Sequence, residues 1–242
     1  MTDSTQPGFT SFPGGGIAVI AGESGAIGGA FADMAEACGR FRAVVRLSRR
    51  GTIPLDVLDE RSVASAVRAI AAMDGDLRLF LDATGFLHDD RFMPEKSLRD
   101  ITPEHMAHAF AVNATGPALL MKHFLPLLPR AGKSVLATLS AKVGSIGDNR
   151  LGGWFSYRAS KAALNQLLHT AAIETARRKP EAVCLSVHPG TVASALSAPF
   201  EKTGLHVRPA EEAASDIASV IDRLTSADSG GFFDYKGEAI AW

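Results

Sequence analysis

The chain has 242 residues, 46% of them hydrophobic and 21% charged, which suits one α/β domain with a sizeable core and is short for two. With 25 basic and 26 acidic side chains and a formal net charge of -1, its electrostatics give no reason to expect nucleic acid or an anionic membrane as partner. No apolar run reaches the roughly 18 residues of a spanning helix. Residues 1–16 lack the basic start and apolar core of a signal peptide, and Cys38 and Cys184 form no CxxC or zinc pattern. A soluble cytoplasmic protein with buried thiols and no metal is expected.

Residues 1–16, rich in Thr, Ser, Pro and Gly, read as a loose N-terminal tail ahead of a single domain over 17–242. Short apolar runs then alternate with helical stretches to the end. Ile17–Ala21 predicts a strand, and a Gly-rich turn leads from it into a helix over 26–38. Strands follow at 43–47 and 53–57, a helix at 62–73 and a strand at 77–83. Pro103 suits the first turn of a long helix toward Leu127, which Pro117 and Pro126 should bend or break. A strand over Ser134–Leu139, a helix over 157–177, a strand over 182–187, a helix over 211–224 and a strand over 232–235 complete the chain. Such βα alternation argues for a Rossmann-type α/β fold, a doubly wound and mostly parallel sheet in three αβα layers.

The first strand runs straight into Gly22-Glu23-Ser24-Gly25-Ala26-Ile27-Gly28-Gly29. Glycines there let the chain turn sharply and bring backbone N–H groups against a pyrophosphate, aided by the positive end of the helix dipole. The second strand ends Arg46-Leu47-Ser48-Arg49-Arg50, with no acidic residue to hold the ribose 2′-hydroxyl of NAD. Ser48 and Arg49 offer instead a hydroxyl and a guanidinium fork suited to a 2′-phosphate, so NADP(H) is favoured over NAD(H). Tyr157 and Lys161 stand one helical turn apart on one face. A nearby ammonium favours the phenolate, and such a pair can give a proton to a carbonyl oxygen or take one from an alcohol near neutral pH. His105 and His108 have no third metal ligand near them in sequence.

In this order and spacing the residues resemble the short-chain dehydrogenase/reductase family over nearly the whole chain, 17–242. The family's glycine motif matches Gly22, Ser24, Gly25, Ala26, Ile27 and Gly28, with Ala26 where the family has its middle glycine. Its adenine-contacting Asp resembles Asp56, followed by Val57, and its Asn-Asn-Ala-Gly element appears as Asp82-Ala83-Thr84-Gly85. Its helix asparagine falls on Asn113. Its Tyr-x-x-x-Lys pair is Tyr157 and Lys161, and its Pro-Gly turn is Pro189-Gly190, with Val192 just beyond as a further cofactor contact. Residues 148–154 followed by 157–161 look further like the C-factor and Sniffer-type carbonyl reductase branch.

The resemblance implies hydride transfer between a nicotinamide and a carbonyl carbon, with Tyr157 as proton donor or acceptor. Lys161 lowers the phenol's pKa and holds the nicotinamide ribose, and Asn113 supports a water relay toward Lys161. The family's carbonyl-polarising hydroxyl, usually three residues before a glycine, lands on Ala141 when counted back from Gly144. Ser140, one place earlier, is the preferred polarising group, with Ser145 or no hydroxyl at all as alternatives. Segments 145–155, with Leu151, Trp154 and Phe155, and 86–96 are expected to wall a ketone, aldehyde or quinone-like substrate, and 191–208 to form a lid. Pairing through two long helices into a homodimer or homotetramer is implied as well. Two other readings stay open: a dinucleotide-binding regulatory or signalling protein of C-factor type with little turnover, and a dehydratase, isomerase or epimerase on the same scaffold.

Overall fold

The computed structural model describes residues 8–200 and 207–242. Its strands are β1 (Ile17–Ala21), β2 (Ala43–Ser48), β3 (Ile53–Pro54), β4 (Leu77–Asp82), β5 (Ser134–Leu139), β6 (Ala182–His188) and β7 (Phe232–Asp234). They form one sheet in the order β3-β2-β1-β4-β5-β6-β7, and every neighbouring pair is parallel. The helices are α1 (Ala26–Ala37), α2 (Glu60–Ala71), α3 (Pro103–Phe110), α4 (Gly116–Phe124), α5 (Phe155–Ala176) and α6 (Ala210–Arg223). The doubly wound α/β domain expected from the sequence is therefore what forms.

Parallel strands covered on both faces read as near-continuous apolar runs rather than alternating ones. Every residue of β1 and of β5 is accordingly buried. One layer of core, including Phe31, Leu79, Val135 and Ile217, lies toward α1 and α6. The other, including Val19, Phe80, Leu136 and Leu164, lies toward α2, α4 and α5, with Phe80 stacked on Phe124 at 4.2 Å between ring centroids.

Two local expectations change. The helix gives way at Pro126 as expected, α4 ending at Phe124 before a 3-10 turn over Leu125–Leu127, but Pro117 does not break it; a π-helical turn over Ala111–Thr115 joins α3 to α4. Proline lacks the N–H that would bond to the carbonyl four residues back, here that of Asn113, and the wider turn absorbs the loss.

The N-terminal segment, expected to be loose, is also packed where it is described. Phe9 and Phe12 are 0% and 1% exposed and meet Phe41 edge to face at 5.2 and 5.8 Å between centroids. Asp222 on α6 accepts from the backbone N–H groups of Thr10 and Ser11 at 3.0 and 2.9 Å. Two aromatic side chains with a buried receptacle outweigh the loop-like composition around them; residues 1–7 lie outside the described residues. Truncating a buried Phe removes its transfer energy and leaves a cavity, so Phe9→Ala should lower stability by about 3–5 kcal/mol in denaturant titration. A loss below about 0.5 kcal/mol would return the segment to the status of a tail.

Candidate active site

The turn between β1 and α1 is shaped by backbone approach. Gly22 has φ +82°, and a Cβ placed on it would lie 2.8 Å from the carbonyl carbon of Ala83, so only glycine fits. A Cβ on Gly28 would collide with the Gly22 carbonyl oxygen. Ala26, the departure from the glycine motif, is exposed at the first position of α1, where a methyl group has room. No side chain caps α1 and no acidic residue stands in its first turn. Its free N–H groups and the positive end of its dipole therefore remain available to an anion.

Two adjoining clefts open along this turn, sharing Ser24, Gly25, Ala83, Thr84 and Gly85 in their walls. One, of about 450 Å³, extends past Gly22 to Ser48, Arg49, Asp56 and Val57. The other, of about 370 Å³, extends past Ala26, Ile27 and Gly28 to Ser140, Tyr157, Lys161 and Pro189. Together they straddle the point where strand order reverses between β1 and β4, the position at which open α/β sheets bind ligands. Three residues expected here stand behind the walls. Asn113 is 1% exposed, Gly190 packs against Tyr235, and Val192 pairs with Arg208 in a β-bridge.

Tyr157 and Lys161 project from α5 into the second cleft. Lys161 is 3% exposed, and its ammonium donates to the Leu139 carbonyl at 2.8 Å. Burial pulls its pKa down to about 8, while the charge of Asp82 pushes the other way. Burial raises the Tyr157 phenol to about 12, the reverse of the lowering expected from Lys161, whose Nζ lies 6.0 Å from the ring centroid. A phenol so placed keeps its proton. Asp82 accepts from the backbone N–H and hydroxyl of Thr84 at 2.9 and 2.6 Å and from Thr138 at 3.1 Å, and burial pushes its carboxyl up.

Asn113 ties the site together from below. Its Oδ1 accepts from the Phe86 N–H and its Nδ2 donates to the Phe86 carbonyl, both at 2.8 Å. Nδ2 also donates to Ser160 at 3.1 Å, and Ser160 in turn donates to the Tyr157 carbonyl at 2.9 Å. A Cβ on Gly85 would lie 3.7 Å from both Asn113 Oδ1 and Lys161 Nζ, an ordinary contact distance, so Gly85 stands beside both polar groups.

The two candidate hydroxyls are each engaged. Ser140 lines the cleft but donates to Asn165 Oδ1 at 2.7 Å. Ser145 is 1% exposed and donates to the Ala241 carbonyl, away from Tyr157. Of the expected apolar wall, Leu151 is 92% exposed. Trp154 instead stands edge-on to Tyr157 and to Phe200, at 6.1 and 5.1 Å between centroids. His88 meets Phe200 at 5.3 Å and the Ala195 carbonyl at 3.2 Å. Gly204, in the expected lid, lies outside the described residues.

Glu95, which no spacing in the sequence marks, anchors the start of α5. It is 2% exposed and accepts from the Ser156 hydroxyl and, at 3.2 Å, from the Ser156 N–H. Its carbonyl accepts from Trp154 N–H at 2.5 Å, and its carboxylate lies 3.3 Å from His105 Nδ1. Trp154 precedes the helix with φ 54° and no cap of its own, so Glu95 supplies from a distant loop what an N-cap side chain usually supplies locally. His105 stacks on Phe92 at 4.9 Å.

Comparison with known proteins agrees with this architecture. A family model described as enoyl-(acyl carrier protein) reductase matches residues 14–228. C-signal of Myxococcus xanthus is 33% identical over 147 residues, 60% of this chain and 84% of that protein. The 1-hydroxy-2-glutathionyl-2-methyl-3-butene dehydrogenase of Rhodococcus sp. strain AD45 is 31% identical over 188 residues, 78% of each chain. Among solved structures, the NADPH-bound carbonyl reductase from chicken fatty liver superposes with a TM-score of 0.82 at 23% identity, over 95% of this chain and 99% of that one. The carbonyl reductase Sniffer of D. melanogaster gives 0.71 at 19% identity, over 99% and 94%. With the family model spanning most of its length, the chain belongs to the short-chain dehydrogenase/reductase family of oxidoreductases.

Proposed function

We propose that the protein reduces a ketone or aldehyde to an alcohol, or runs the reverse reaction, with NADP(H) as the favoured cofactor. The observation that carries this reading is the adjoining of the two clefts. They bring Tyr157 and Lys161 to the far end of a groove that begins at a bare helix N-terminus. A dinucleotide fits these residues: the close approach at Gly22 and the free amides of α1 suit a pyrophosphate. Asp56 and Val57 line the adenine end, and Ser48 and Arg49 the ribose 2′ position. Bound there, the cofactor supplies or accepts the hydride.

Tyr157 gives its proton to the carbonyl oxygen as charge develops there. Its high pKa keeps the phenol loaded for reduction. Lys161 holds the cofactor ribose and, once the cleft is filled, stabilises the phenolate left behind. Asn113 holds the loop after β4 against α5 and supports the water that returns a proton toward Lys161. Ser140 polarises the carbonyl. Asn165 Nδ2 is buried without a partner among the described residues, and half a rotation of that amide places Nδ2 on the Ser140 oxygen. The serine hydrogen is then free for the cleft. Trp154, Phe200 and His88 supply an aromatic wall for the substrate. Pro189, Gly190 and Val192 back the nicotinamide end.

A second reading, a dinucleotide-binding signalling protein with little turnover, draws on the likeness to C-signal and on the committed hydroxyls of Ser140 and Ser145. Tyr157→Phe separates the two. In a screen of ketones and aldehydes, cofactor consumption should fall by about 100-fold or more while cofactor binding is kept. Wild-type consumption no greater than that of the variant would favour the signalling reading.

The pH dependence follows from Lys161, whose ammonium is present below about 8 and lost above it. Reduction rates measured at saturating cofactor should hold through neutral pH and decline as pH rises through that value. A rate that climbs there instead would remove Lys161 from the role given.

The groove between α4 and α5, with Met121, Leu125 and Leu167 in its wall, supports association into a homodimer or homotetramer. Light scattering should return two or four times the mass of one chain; the monomer mass would count against it.

A further inference from the structure

What Ser48 can offer a ribose is decided by Glu23. Ser48 closes β2, is 8% exposed, and donates its hydroxyl hydrogen to Glu23 Oε1 at 2.7 Å. The glutamate is held over the end of β2, because its N–H and that of Gly22 both donate to the Leu47 carbonyl, at 3.3 and 2.9 Å. A serine hydroxyl has one hydrogen and two lone pairs. With the hydrogen on Glu23, Ser48 faces the cleft with lone pairs alone.

Lone pairs suit a ribose 2′-hydroxyl, which can donate to them. A 2′-phosphate brings only acceptor oxygens and negative charge, so it gains no bond from Ser48 and meets the Glu23 carboxylate behind it. Arg49, exposed at the rim of the same cleft, pulls the other way. Glu23 is the sole charged side chain in the turn Gly22 to Gly29, so no cation within the turn offsets it.

We propose that Glu23, through its hold on the Ser48 hydroxyl, is a selectivity residue that restrains the preference for phosphorylated cofactor conferred by Arg49. Specificity between two close ligands is a difference of affinities, and a repulsive element against one of them is an effective way to set it. The inference rests on the dinucleotide reading above and refines it at one subsite. Neutralising Glu23 with an amide of the same shape reverses the arrangement: a Gln Nε2 donates to Ser48 and releases the serine hydrogen to the phosphate.

The test is a fluorescence titration of NADPH and NADH, each against wild type, Glu23→Gln and Arg49→Ala at matched salt, with thermal melts to confirm folding. Glu23→Gln should raise the ratio of NADPH to NADH affinity by about tenfold, mainly by tightening NADPH, and Arg49→Ala should lower it. The gain should shrink when Glu23→Gln is combined with Ser48→Ala, because the released hydroxyl is gone. A ratio altered by less than about threefold in Glu23→Gln overturns the proposal, even if Arg49→Ala shows that the subsite is placed correctly. A folded wild type that binds neither nucleotide overturns the dinucleotide reading itself, and this inference with it.

Discussion

Because β2 and β4 flank β1 on opposite sides, the chain leaving β1 and the chain leaving β4 pass to opposite faces of the sheet. α1 packs on one core layer and α4 on the other, which leaves a crevice between the two strand ends. The crevice is a consequence of connectivity, and the rest of the site is arranged to use it. Gly22 lets the first turn touch the backbone of Ala83, which closes the crevice at its base and leaves the amides of α1 facing outward. The neighbouring strand end then becomes the place where α5 delivers its side chains. Leu139 ends β5 and presents its carbonyl to Lys161.

Holding an ammonium group there is unfavourable in itself. A lysine lowered to about 8 by burial destabilises the fold at neutral pH by roughly 3 kcal/mol, from about 1.4 kcal/mol per pKa unit. That cost is what remains after the Asp82 charge has acted in the opposite direction, with the ammonium donating to the Leu139 carbonyl. Groups perturbed in this way cluster at functional sites. The cost also explains the company around Lys161. Asn113 and Glu95 each use a buried polar group to fix the backbone beside α5, so that a helix carrying an unfavourable charge does not relax away from the cleft.

Much of this was legible in the chain because the relevant signals are local. Buried parallel strands show as near-continuous apolar runs, and the turn after β1 shows as glycines in a fixed order. Tyr157 and Lys161 share a face because a helix puts them one turn apart. What was not legible depends on partners far away in sequence. The burial of Phe9 requires Phe31 and Phe41 to arrive. Glu95 acquires its meaning from Ser156, 61 residues later. The hydrogen of Ser48 is assigned by Glu23, 25 residues earlier. Composition marked the first as a tail, and no spacing rule marks the other two.

The π-turn over Ala111–Thr115 has a consequence for how the long helical run serves two neighbours. Relative to an α-helix, one extra residue in a turn advances every following side chain by about 100° around the axis. The run can therefore direct α3 toward Phe86, where His108 meets the ring edge-on at 4.5 Å, while α4 turns Phe124 onto the sheet at Phe80. Phase, rather than length, is what the insertion supplies. A regular helix of the same composition could satisfy one of these docking faces but would rotate the other out of contact, with Asn113 at the junction between them.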